Sequence, residues 1–111
     1  MTKEEISRCC QIPMEVLSAY EHWNLSGKKT EGDVRQYDDE DIQKLSMIIT
    51  LTEAGLTKSQ IECYMRLAEK DDTAVKRRYM LERQRNDLLN QIHKLEEKIE
   101  KLDYLRYQIR S

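Results

Sequence analysis

Apolar residues return every seven positions along the C-terminal third of the chain: Leu81, Leu88, Leu95, Leu102 and Ile109, with Ile92 and Ile99 between them. That is the a/d stripe of a helix that pairs with another helix. From Thr73 to about Arg110 no glycine or proline interrupts, so a rod of roughly 57 Å is expected at about 1.5 Å per residue. With the leucines at d, the a positions read Arg78, Arg85, Ile92, Ile99 and Arg106. The adhesive part is therefore the centre, where each buried aliphatic side chain is worth about 1.5–3 kcal/mol before entropy is subtracted.

The first seventy residues follow a shorter rhythm. Thr2 with Glu5 has capping-box spacing, and a helix over Ile6–Cys10 would turn Ile6, Cys9 and Cys10 inward. Pro13 suits the start of a second helix with Val16, Leu17, Tyr20 and Trp23 on its buried face. Two short helices separated by about four residues read as helix-turn-helix. Residues 24–32, with Ser26, Gly27 and Gly32, are the most loop-like stretch and suggest a two-stranded wing. Asp38 with Asp41 opens a third helix through Ile42, Leu45, Ile48, Ile49 and Leu51, which Gly55 stops; Thr57 with Gln60 opens a fourth carrying Ile61, Tyr64, Met65 and Leu67. The expected class is mainly all-α: a winged helix-turn-helix domain with an auxiliary helix pair over 1–70, then a coiled-coil dimerisation helix over 73–111.

Composition narrows the function. At 111 residues, with 39% hydrophobic and 36% charged side chains, the private core is small and part of the apolar surface should be covered by a second copy. No apolar run reaches the roughly 18 residues of a membrane span, and Lys3, Glu4 and Glu5 do not open a secretory signal. A cytoplasmic bacterial protein with no membrane partner is expected. Cys9, Cys10 and Cys63 are expected as reduced, small buried residues, the adjacent pair facing different ways on its helix. No metal site, cofactor or catalytic constellation is expected: His22 and His93 lack a partner set, and there is no phosphate-binding glycine loop.

If the second helix enters a DNA major groove, Met14, Glu15, Ser18, Ala19 and His22 form its outward face, with Glu15 able to accept from cytosine and Ala19 to touch a thymine methyl. Lys28, Lys29, Arg35 and the Tyr37 hydroxyl suit backbone positioning. The charge balance works against such a reader. Residues 1–37 hold five basic side chains against six acidic, and residues 38–70 four against seven, whereas phosphate neutralisation supplies most duplex affinity.

The order of elements resembles the MerR family of bacterial transcription regulators across nearly the whole chain. Leu17, Tyr20, Glu21 and Leu25 stand where that family's recognition helix reads Leu-Arg-Tyr-Tyr-Glu and then Gly-Leu. Val34, Arg35, Gln36 and Tyr37 precede the acidic start Asp38–Asp41 where its wing closes on Tyr-Arg-x-Tyr, and Leu51, Gly55, Leu56, Thr57 and Ile61 match its next helix pair. Departures stand beside the matches: Ser18 and Ala19 replace Arg-Tyr, Asp33 a glycine, Val34 a tyrosine and Asn24 a glycine. The resemblance implies a short member without an effector domain. It would be a homodimer paired through antiparallel terminal helices, binding double-stranded promoter DNA and distorting it, with RNA polymerase as a further partner. Cysteines that bind metal in metal-sensing relatives have no counterpart at Thr73–Lys76. The competing expectation is a dimeric protein-interaction module that has lost duplex reading, motivated by Ser18, Ala19, Asp33 and the acidic balance.

Overall fold

The computed structural model describes residues 2–23 and 37–110. They form α1 (Lys3–Cys9), α2 (Met14–Trp23), α3 (Asp39–Glu53), α4 (Lys58–Ala68) and α5 (Ala74–Gln108), with no strand among the described residues. The wing expected over 24–32, together with Lys28, Lys29 and Arg35, lies outside the described residues. The chain divides into two compact units, Met1–Arg77 and Arg78–Ser111.

In the first unit α1 packs on α2, α2 on α3 and α3 on α4. Their shared core takes Ile6 from α1, Leu17, Tyr20 and Trp23 from α2, Leu45, Ile48 and Leu51 from α3, and Ile61, Tyr64 and Met65 from α4. Ile12, Tyr37 and Leu56, from the connections, are buried with them. The helical period finds these positions, although Val16, Ile42, Ile49 and Leu67 are only half-buried. Cys9, Cys10 and Cys63, expected inside, are exposed. Ile6 alone fills the α1 contact, because Cys9 and Cys10 fall at the end of a helix only seven residues long.

Local chemistry sets the helix ends. Asp38 accepts the Asp41 N–H at 3.0 Å while Asp41 Oδ2 accepts the Asp38 N–H at 3.1 Å, a reciprocal cap at a helix start whose dipole favours acids. Thr57 and Gln60 do the same for α4, at 3.2 and 2.8 Å. α3 stops in a Schellman motif: Gly55 sits at φ 92°, its N–H reaches the Thr52 carbonyl at 3.0 Å, and the Leu56 N–H reaches the Leu51 carbonyl at 3.2 Å. Leu51 and Leu56, the apolar pair this motif brings together, are both buried.

Polar contacts also tie elements together. Asp41 is buried, and its Oδ1 accepts the Tyr20 hydroxyl at 2.5 Å, linking α2 to the head of α3. Lys44 of α3 pairs with Glu69 at 2.6 Å and with Glu40 at 3.5 Å. Desolvation pulls that ammonium down, but the hydrogen bond and charge of Glu69, with Glu40 behind it, outweigh the loss and hold its pKa above the ordinary lysine value. Thr73, buried between α4 and α5, donates to the Leu67 carbonyl at 2.6 Å and accepts from Arg77 Nε at 3.1 Å. The first turn of α5 thereby belongs to the first unit.

α5 runs 35 residues, about 52 Å at the helical rise. It begins one residue later and ends two residues earlier than the sequence suggests. None of its residues is buried, and Leu81, Leu88, Ile92, Leu95, Ile99 and Leu102 are all exposed, as is Ile109 just past its end.

Removing the Tyr20 hydroxyl tests the α2–α3 link. Tyr20→Phe leaves a buried carboxylate short of a donor and is expected to cost about 1.5–3 kcal/mol in urea unfolding followed by circular dichroism. Thr57→Ala, which loses only an exposed cap, is expected to cost about 1 kcal/mol. Equal costs would show that the buried carboxylate does not depend on Tyr20.

Candidate nucleic-acid interface

α2 divides its faces by the same period that builds the core. Leu17, Tyr20 and Trp23 turn inward, which leaves Met14, Glu15, Ser18 and His22 exposed and Ala19 half-buried. All five line one open concavity of about 580 Å³, together with Trp23. The other wall is the N-terminal part of α4, through Lys58, Ser59 and Glu62.

Those three α4 residues were not among the sequence candidates. The signal for them was faint: α4 carries no acid in its first turn and opens instead on Lys58, although a cation is disfavoured at the positive end of a helix dipole. Among the described residues lining the concavity, Lys58 stands as the one lysine or arginine against Glu15 and Glu62.

Contacts from three directions hold α2. From α1, Lys3 Nζ reaches Ser18 Oγ at 3.3 Å and Glu21 Oε2 at 3.4 Å. From the segment before α3, the Tyr37 hydroxyl donates to Glu21 Oε1 at 2.6 Å. From α4, Arg66 Nη2 donates to the Trp23 carbonyl at 3.2 Å and its Nε to Glu62 at 2.8 Å. A guanidinium at the end of α2 thus satisfies a carbonyl that the helix leaves without an internal partner.

Tyr37 departs from its sequence reading. The residue is only 3% exposed, and its one hydroxyl proton goes to Glu21. That bond links the segment before α3 to α2, and a phosphate oxygen has no proton to offer the hydroxyl in return.

Among the described residues no three His, Cys, Asp or Glu side chains gather into a metal site, and no helix is long and apolar enough to cross a membrane.

Residues 1–68 match the family model described as MerR HTH family regulatory protein. Solved structures share the architecture. A protein from Listeria monocytogenes assigned to the MerR family of transcriptional regulators aligns with a TM-score of 0.70 at 25% identity, over 94% of this chain and 81% of that one. HiNmlR, a MerR family regulator lacking the sensor domain and solved bound to promoter DNA, aligns with a TM-score of 0.67 at 24% identity, over 96% and 86% of the two chains. A MerR family transcriptional regulator from Bacillus thuringiensis gives 0.64 at 19% identity, over 98% of both. No curated protein matches the chain.

Trp23 is the chain's single tryptophan and reports on how α4 holds α2. Arg66→Met, which keeps the length of the side chain but removes its donors, should red-shift the Trp23 emission in the folded protein and lower stability by about 1 kcal/mol. An unchanged spectrum would mean that the Arg66 contact does not set the end of α2.

Proposed function

The chain belongs to the MerR HTH family of regulatory proteins, and from that premise we propose that it is a homodimeric, non-enzymatic, DNA-binding transcription regulator of the cytoplasm. The observation that carries this reading is the convergence of Met14, Glu15, Ser18, Ala19 and His22 on one open surface of a helix held from three sides. A firmly held helix presents its base-reading side chains without ordering them at the moment of binding. Double-stranded promoter DNA is the proposed partner, a choice supported by the fold shared with HiNmlR.

In this mechanism the outward side chains of α2 read base edges in the major groove. Lys28, Lys29 and Arg35 neutralise phosphates, and Lys58, at the positive end of α4, adds a further phosphate contact. Tyr37 positions α2. Two copies join through Leu81, Leu88, Ile92, Leu95, Ile99, Leu102 and Ile109, so that two heads meet a pseudo-palindromic operator. Distorting the DNA between promoter elements for RNA polymerase costs about 1–6 kcal/mol, offset by the contacts of both heads.

Fluorescence anisotropy on upstream duplex DNA at two salt concentrations tests the reading. Binding should weaken steeply with salt, Lys28→Glu with Lys29→Glu should abolish it, and Lys58→Ala should lower the salt slope by about 1. A second reading, a dimeric protein-interaction module, is favoured by the pairing of Lys58 with two acids, Glu15 and Glu62, among the described residues of the concavity. No DNA binding at low salt, with a protein partner recovered by pull-down, would select it over the first.

The dimer has its own test. Sedimentation at micromolar concentration should find pairs for the unaltered chain and single chains for Ile92→Lys with Ile99→Lys, while helical content in the first unit is retained. A lone protomer for the unaltered chain would overturn the assembly.

A further inference from the structure

A second concavity of the first unit, about 300 Å³, shares no lining residue with the α2 surface. α3 lines it through Glu40, Lys44 and Met47, α4 through Tyr64 and Met65, and the start of α5 through Arg77. Glu69, the C-cap of α4, lines it as well. All of these residues belong to the first unit, and none has a part in the DNA-binding reading.

Two of the lining groups keep hydrogen-bonding capacity that the fold does not use. Tyr64 is only 7% exposed, and among the described residues its hydroxyl has no hydrogen-bond partner, although a buried hydroxyl is ordinarily paired. Arg77 Nε donates to Thr73 Oγ1 at 3.1 Å, which holds the guanidinium in place. Its two terminal amino groups make no ion pair among the described residues. The acids on the same wall are engaged elsewhere: Lys44 Nζ lies 2.6 Å from Glu69 and 3.5 Å from Glu40. The Glu40 side chain is 69% exposed, so water and salt screen much of its remaining charge.

A planar carboxylate matches a guanidinium fork bidentately, and its oxygens keep lone pairs for a phenolic donor. One cation without an acid partner, with two carboxylates nearby, disfavours a phosphate or a dicarboxylate. Half-exposed Met47 and buried Met65 offer adaptable apolar surface, and the volume stands at the small end of ligand cavities.

We propose that this concavity binds a small monocarboxylic acid with an apolar body. Arg77 takes the carboxylate through its terminal amino groups, the Tyr64 hydroxyl donates to it, and the body lies against Met47 and Met65. The site stands whether or not α2 reads DNA.

Phenylacetate is the probe, with phenylethanol as its uncharged counterpart, titrated into the full chain carrying isotope-labelled methionine methyl groups. Nuclear magnetic resonance should show saturable shifts at Met47 and Met65, with Met14 and Met80 unmoved. Phenylethanol should bind at least about 10-fold more weakly. Arg77→Gln and Tyr64→Phe should each weaken phenylacetate by about 10-fold or more, and Tyr64→Phe should leave urea unfolding unchanged, since its hydroxyl has no partner to lose. Glu40→Gln should bind phenylacetate at least as well as the unaltered chain. Shifts that do not saturate, equal binding of the alcohol, or undiminished binding by Tyr64→Phe would overturn the proposal. So would weaker binding by Glu40→Gln, or Met47 and Met65 signals that follow protein dilution instead of ligand, which would put a second copy in the concavity.

Discussion

A buried carboxylate governs the geometry of the first unit. Asp41 is 1% exposed, and a charge taken out of water is costly unless its lone pairs are satisfied. Here one oxygen caps the start of α3 through the Asp38 N–H, and the other receives the Tyr20 hydroxyl. The helix dipole of α3 adds further compensation at the same place. Tyr20 must face that point, and the rest of α2 follows from its period. Leu17 and Trp23, three residues to either side, turn inward with it, and Met14, Ser18 and His22 are left outward. A cap on α3 thus settles which side chains α2 displays.

Stability is distributed differently in the second unit. The first unit closes its apolar faces within the chain, helix upon helix, whereas α5 buries none of its residues. Propensity alone holds long isolated helices weakly, and tertiary packing supplies most helical stability in proteins. In this 35-residue helix Leu81, Leu88, Ile92, Leu95, Ile99 and Leu102 are exposed along one seven-residue seam, with Leu89 and Leu105 exposed beside it, and the proposed pairing of α5 would supply the packing it lacks. Arg85 and Arg106, on the same seam, bracket its continuous apolar stretch, Leu88–Leu102, and in the proposed pair they would limit how many helices can gather there.

What the sequence made legible was local. Asp38 with Asp41, Thr57 with Gln60, and Gly55 follow rules that act within three to six residues, and each appears in the structure as the spacing suggests. The core of α2, α3 and α4 was legible because burial repeats with the helix. Contacts that cross the fold were not: Tyr20 and Asp41 lie 21 residues apart, and Arg66 and Trp23 lie 43 apart. Nothing in the sequence around Lys58 and Ser59 says that α4 begins beside the outward face of α2. Cys9 and Cys10 misled for a related reason. Cysteine is commonly buried, but α1 ends too soon to bring either of them under α2.

Electrostatics joins the two units on the proposed reading. With near-balanced charge over residues 1–37 and an acidic excess over 38–70, one head neutralises few phosphates and gains little from counterion release. Glu15 and Glu62 reduce that gain further at the concavity itself. Such a head suits selective base contact better than strong non-specific attraction. Two linked heads change the arithmetic, because the second binds at an effective concentration set by the scaffold and avidity rises by orders of magnitude without a new contact. A weakly charged reader and a helix with an uncovered apolar seam are then two consequences of one design: the affinity absent from each DNA-facing surface is supplied by the pairing of α5.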